Sequence, residues 1–354
     1  MSPVVSLEPL RFAVLMLTAS VVFLLIIILA ERTVAGLRSA RSERREAALT
    51  GRVCRAIEDH AGPAALAQLS RADRRLVRGI LLRLAIDLRG DSGQAIASLY
   101  QGLGFFEADI HRLGSWRATV RAGAAADLGL IPLQESLPIL GRMLHDPNVR
   151  VRQSAVWALG QVADRETLAG LVPLLGDPSR MVARRVEEVL AERGREIQNV
   201  ILAYAGRAVI RPGRLAAIEL LGWLRIAEAA DLLVGLMRDL DPEVRVKSVK
   251  AAAAIGDPRF LEVFHVLLSD PRWEVRCQAA KGLSLFGSPE SIPRLEAALR
   301  DPEWWVRFYA ATALSETGTA GEAALQRALD DPSSKVREMA RYLLERGDAV
   351  PALP

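Results

Sequence analysis

The stretch DPNVRVRQSAVWALG (146–160) returns as DPRWEVRCQAAKGLS (270–284) and again as DPEWWVRFYAATALS (301–315). Working outward from it, the pair Asp-Pro stands at 146–147, 177–178, 241–242, 270–271, 301–302 and 331–332. An arginine keeps register with it at Arg121, Arg152, Arg214, Arg245, Arg276 and Arg307, at intervals of 31 or 62 residues. Ala183 occupies the vacant slot and Arg337 follows thirty residues after Arg307. Self-similarity at a fixed period of this length marks a repeat array. About eight units cover 116–346, with the register near 244–256 open by one or two residues.

Each unit reads as a helical hairpin. Asp-Pro predicts a helix start, with the carboxylate as N-cap and proline at the first helical position. Val151, Ala155 and Leu159, or Val306, Ala310 and Leu314, then form one apolar stripe. Gly160, Gly222, Gly256 and Gly287 mark turns, and a second apolar helix follows, such as TLAGLVPLLG (167–176) or SIPRLEAALR (291–300). A hairpin of this kind cannot bury its face alone, so stacking into an α-solenoid is expected.

Composition agrees. Of 354 residues 51% are hydrophobic and only 5% aromatic, with Ala, Leu, Arg and Glu dominant, which predicts an all-α chain and excludes a disordered one. Two cysteines, Cys54 and Cys277, and four scattered histidines (His60, His111, His145, His265) offer little for a disulfide framework or a zinc site. Neither metal nor cofactor is expected. The net charge of +4 is local: seven arginines against Glu43 and Glu46 make residues 32–55 alone +5, and residues 56–354 are neutral. A neutral solenoid lacks the counterion-release drive of a nucleic-acid binder.

From Phe12 to Ala30 nineteen residues run without a charge, about 28 Å of helix at 1.5 Å per residue, close to the hydrocarbon thickness of a bilayer. A cleaved signal peptide is the rival reading. The length of the run and the charges that follow it favour an uncleaved transmembrane helix. Arg32, Arg38, Arg41, Arg44 and Arg45 on its C-terminal side, against Arg11 on the other, place the bulk of the chain in the cytoplasm. The expected organisation is a short extracytoplasmic segment 1–11, a membrane helix 12–30, a basic juxtamembrane linker helix 31–62, a helical N-terminal cap 63–115, the solenoid 116–346 and a flexible tail 347–354.

The pattern DPxxxVRxxAxxALG followed by a Leu-rich helix resembles the HEAT repeat, in particular the short bacterial type also found in phycobilin lyase subunits. The resemblance implies that the repeated Asp and Arg (Asp146, Arg152, Asp177, Arg214, Arg245, Asp270, Arg276, Asp301, Arg307, Asp331, Arg337) hydrogen-bond between neighbouring units as a structural ladder. It also implies that the helix beginning VRxxA lines the recognition face. There Trp305, Phe308 and Tyr309, with Trp273 one unit earlier, stand where other units are mostly polar, an expected aromatic anchor for a protein partner.

No P-loop, nucleophile elbow, dinucleotide fingerprint or HExxH is present, so no enzyme is expected. The reading is a scaffold at a bacterial inner membrane that recruits or regulates a membrane-associated protein complex, an envelope polysaccharide synthase being one candidate. The alternative is a HEAT-fold enzyme or chaperone similar to a phycobilin lyase.

Overall fold

The computed structural model describes residues 43–66 and 68–346, with a few isolated positions between 16 and 32. The expected segment 1–11, nearly all of the membrane helix 12–30, the first part of the linker including Arg38 and Arg41, and the tail 347–354 lie outside the described residues. Among those described, no helix is long and apolar enough to cross a membrane.

The chain divides into two compact units, one of residues 1–109 with 130–132, the other of 110–129 with 133–354. The first holds helix α1 (43–58), α2 (Arg71–Asp87), α3 (Gly90–Gly102) and the start of α4 (Phe105–Leu113). Leu49, Val53 and Ile57, the apolar side of α1, are buried, as are Val77, Ile80 and Leu81 of α2. Asp109, a fully buried carboxylate of this unit, is held by Arg78 at 2.6 Å and by the hydroxyl of Tyr100.

The second unit alternates long first helices with shorter second ones: α5 (Ala118–Leu130), α6 (Leu137–Met143), α7 (Val149–Val162), α8 (Arg165–Ala169), α9 (Arg180–Arg193), α10 (Gln198–Arg207), α11 (Arg211–Trp223) and α12 (Ala230–Leu236). It continues through α13 (Pro242–Ile255), α14 (Phe260–Leu267), α15 (Trp273–Ser284), α16 (Ile292–Ala298), α17 (Trp304–Ser315), α18 (Thr319–Ala328) and α19 (Ser334–Arg346). Val151, Ala155, Leu159 and their counterparts Val306, Ala310 and Leu314 are all buried, so the apolar stripe is the core between units.

Two local expectations are corrected. Asp-Pro is a helix start only at α13, where Asp241 caps Glu243 N and Pro242 is the first helical residue. Elsewhere the helix begins two residues after the proline, at Val149, Arg180, Trp273 and Trp304, and the aspartate ahead of it accepts from the amide two residues on (Asn148 N, Ser179 N, Arg272 N, Glu303 N) at 2.7–2.9 Å, as Asp241 does, but is also bound by the arginine 25 residues earlier. The glycines also differ in role. Gly256 and Gly287 have φ of 74° and 54° and do turn the chain, whereas Gly160 and Gly222 lie within α7 and α11. A Cβ on Gly222 would come within 2.7 Å of Ala251 Cα, so that glycine permits close helix approach.

The aspartates hold the units together. Four ladder arginines reach a carboxylate 25 residues ahead with two parallel N–H bonds: Arg121 to Asp146 (2.8 and 2.9 Å), Arg152 to Asp177 (3.1 and 2.9 Å), Arg245 to Asp270 (both 2.8 Å) and Arg276 to Asp301 (2.7 and 3.0 Å). The remaining guanidinium nitrogen, Nη1, donates back to the carbonyls six and five residues earlier, as Arg152 does to Asp146 O and Pro147 O. Bidentate charge-assisted pairs of this kind, largely withdrawn from water, outweigh exposed ion pairs.

Arg214 pairs with Asp239 at 2.9 Å, a rung the sequence pattern had hidden. Asp239, six residues before Arg245, is the true counterpart of Asp146 and Asp270, and the Asp241-Pro242 pair is offset by two. Where Ala183 replaces the arginine, the position 25 ahead is Ala208, so that rung has lost both partners. In its place Arg195 donates to Leu224 O at 2.7 Å, and Gly213 lies so close to Gly176 that a Cβ would reach its amide at 2.8 Å.

At the C-terminal end the spacing from Asp301 to Asp331 is 30 rather than 31, and Asp331 is taken by Arg300. Arg307 keeps its carbonyls, Asp301 O and Pro302 O, at 2.8 Å, but its buried Nε has no hydrogen-bond partner among the described residues. Arg337 likewise bonds Asp331 O and Pro332 O.

Removing one side of a rung leaves a charge with no partner. Arg152→Ala is expected to cost about 2–4 kcal/mol in urea unfolding, and the double variant with Asp177→Ala less than the sum of the two singles, as the natural Ala183 and Ala208 imply. The Arg121 hydrogen bond, opposed by burial, holds the Asp146 carboxyl below the ordinary range. Its contribution is therefore complete above the unfolded value of about 3.9 and lost as pH falls through the lower folded value. Asp146→Asn should be less stable at neutral pH and show a flatter fall in Tm through the acid range than the parent chain.

Candidate partner-binding face

The ladder fixes which positions of the first helices remain accessible. Two residues before the arginine, and one, two and five after it, the side chains project beside those of the neighbouring first helices. In α5 these positions are small, Ala122, Gly123 and Ala126 among them, while α7 supplies Arg150, Gln153, Ser154 and Trp157 and α9 supplies Met181 and Arg185. The mismatch of size leaves a groove of about 580 Å³ across the three helices.

The half-buried ring of Trp157 and the two alanines form its apolar part. Gln153 Nε2 is fixed to Met181 O at 3.2 Å, and the Met181 side chain is 59% exposed. Arg185 is engaged by Glu188 at 2.7 Å, whereas Arg150 is exposed and makes no ion pair among the described residues. The groove thus offers apolar contact, an amide anchored at a fixed position and one uncompensated cation. Sequence reasoning missed it, although the small residues of 122–126 set in register against Trp157 would have signalled it.

Beyond the groove the same face becomes charged and then aromatic. Burial, reinforced by Glu219, raises the Glu187 carboxyl above its ordinary value. Glu219 itself meets Lys247 at 2.5 Å, and the Lys281 ammonium lies 5.4 Å from the centre of the Tyr309 ring. Burial also pushes the Cys277 thiol up to about 11, so at neutral pH it is a packed side chain rather than a nucleophile.

The expected aromatic residues are brought together, but not as an open patch. Phe308 stacks on Trp304 at 5.1 Å and packs edge-on to Tyr309 at 5.2 Å, while Trp305 meets Tyr309 at 6.3 Å. Phe308 and Tyr309 are buried and Trp305 is half-buried, so the accessible part of the cluster is Trp304, which the sequence reading had passed over. Trp273 is 36% exposed one unit earlier, in the same register as Trp304.

One arrangement has the look of a catalytic triad. His265 Nε2 lies 2.8 Å from Ser291 Oγ and its Nδ1 3.4 Å from Glu262. Ser291 is fully buried, however, and burial lowers the His265 pKa so that the ring is neutral. No substrate can reach that hydroxyl, and the pair ties α14 to the turn before α16. No cluster of metal-ligating side chains occurs among the described residues.

The family model for HEAT repeats matches residues 110–191, 211–265 and 261–345. The chain belongs to the HEAT-repeat family. Among solved structures, the HEAT solenoid is similar to YibA of Escherichia coli, 19% identical over 79% of this chain and 98% of that one, with a TM-score of 0.39. It is similar to the CpcE–CpcF complex of the phycocyanin lyase of Nostoc (18% identity, 68% and 93% of the two chains, TM-score 0.31). A Kap121p mutant gives 15% identity over 79% of this chain and 38% of that one, at a TM-score of 0.49. None of these likenesses bears on what this chain binds. No curated protein matches it.

The division of labour within the aromatic cluster is measurable by unfolding. Phe308→Ala should cost about 3–5 kcal/mol, as expected for a buried ring, and Trp304→Ala under about 1 kcal/mol.

Proposed function

We propose that this chain is a scaffold without catalytic activity, tethered to a bacterial inner membrane through residues 12–30 with its solenoid on the cytoplasmic side, and that it receives a segment of a membrane-associated protein. The observation that carries the reading is the groove over α5, α7 and α9, with Trp157 as apolar floor and Arg150 as unpaired cation. Such a site suits an extended segment that brings one large apolar side chain and a carboxylate, since an aromatic anchor beside an unpaired arginine is the usual core of a protein hot spot. Trp273 and Trp304 form a second contact for the same partner, along the line of stacked first helices. Arg32, Arg44 and Arg45, with Arg38 and Arg41, are the membrane-proximal charges of the tether. A polysaccharide synthase of the envelope is the partner class in which such a tethered scaffold would serve.

The test is cross-linking in membranes followed by recovery of the tagged full-length chain, alongside Arg150→Glu and Ala126→Arg, the latter filling the groove without removing a contact. One membrane protein recovered in stoichiometric amount from the parent and lost from both variants is the expected result. Equal recovery from variants that retain the parental Tm would remove the groove as the binding site.

A further inference from the structure

The ladder has a by-product on the edge where the chain passes from one repeat to the next. Where a ladder arginine draws in the carbonyl five residues earlier, as Arg121 does with Trp116 O at 3.1 Å and Arg245 with Leu240 O at 3.3 Å, the side chain of that residue is turned outward; Val209 holds the same register before Arg214, which donates to Ala205 O instead. In most units the position is the proline of the Asp-Pro pair. In three it is Trp116, Val209 or Leu240, at 83%, 97% and 98% exposure. Ile210, next to Val209, is also more than half exposed. A turn has no use for these rings and branched chains, and the interior gains nothing from them.

The charge on this edge is one-sided. In the turns that join one repeat to the next between 114 and 244, Asp146, Asp177 and Asp239 are engaged by the ladder and Asp241, with Glu243 at the start of α13, by Arg211. Four exposed arginines, Arg117, Arg180, Arg207 and Arg238, make no ion pair among the described residues. Arg117 lies 4.8 Å over the Trp116 ring. The later turns differ, with Arg272 bound to Glu274 and prolines in the outward register.

We infer that this edge of the solenoid, from Trp116 to Leu240, rests on an anionic lipid surface, with the arginines among the headgroups and Trp116, Val209, Ile210 and Leu240 dipped into the interfacial region. Arginine with tryptophan and isolated aliphatic side chains is the composition of an interfacial contact. The apolar groups stand on separate turns, one or more repeats apart, and make no continuous area for a dry protein interface. A fluid bilayer accepts them singly. A nucleic acid would satisfy the arginines but leave Val209 and Leu240 without a partner. The contact does not depend on the proposed tether, because it involves only the second unit.

The experiment uses the full chain carrying Cys54→Ser, with an environment-sensitive fluorophore on Val209→Cys or Leu240→Cys; Cys277 is buried and stays unlabelled. A control label sits on Glu290→Cys, in a turn inside a unit. In vesicles of phosphatidylcholine with one-third phosphatidylglycerol, emission at 209 and 240 should shift to the blue and be quenched by nitroxide lipid. Both effects should drop several-fold in pure phosphatidylcholine, at high salt, and in the Arg117→Glu, Arg180→Glu variant, while 290 remains water-exposed throughout. Labels at 209 and 240 that stay as water-exposed as that at 290 in the anionic vesicles overturn the inference. So does a shift that appears only when a soluble protein is added, which would give the edge to a protein partner.

Discussion

A guanidinium that binds a carboxylate 25 residues ahead and two carbonyls behind is the interaction on which the solenoid is built. Its forward bonds join one repeat to the next, and its backward bonds shape the turn that starts its own helix. The aspartate is equally divided, since one oxygen also receives the amide two residues on. All three nitrogens of the guanidinium donate at Arg152, Arg245 and Arg276, and that degree of satisfaction is what makes a partly buried ion pair favourable rather than costly.

The exceptions follow the same electrostatics. Where the arginine is gone, at Ala183, the carboxylate it would have met is gone too, at Ala208, and the join is made by glycine contact and by Arg195 instead. Where one residue is missing between Asp301 and Asp331, the carboxylate no longer falls opposite Arg307; Arg300 takes it, and one buried donor is left idle. A charge pair survives only while its spacing does, because the fork geometry tolerates no shift of a residue.

Surface properties descend from this frame. Fixing the first helices in register places like positions side by side, so a run of small residues in α5 beside Trp157 in α7 becomes a groove, and Lys281 of α15 comes to lie over the Tyr309 ring of α17. Drawing in the carbonyls at the repeat turns sends another register outward, and with it Trp116 and Leu240. The binding face and the turn edge are different outputs of one repeated clamp.

The period, the helical hairpins, the buried stripe and most of the ladder residues were determined by sequence alone, because a repeat writes its core contacts at constant spacing and two-residue motifs report it. The structure alone decided how the turns close. Asp-Pro reads as a helix cap in any local analysis, and only the arginine of the preceding repeat, distant in sequence, pulls the aspartate inward and delays the helix to Val149 or Trp304. Asp239 stayed hidden for the same reason, since no proline follows it and its partner is Arg214 of another unit. Burial of Phe308 likewise depended on a ring from another helix, Tyr342 of α19, as well as on Trp304 of its own, which no single repeat displays. Sequence spacing carries what each repeat shares with the others; what lies exposed between them is settled only when the repeats are stacked.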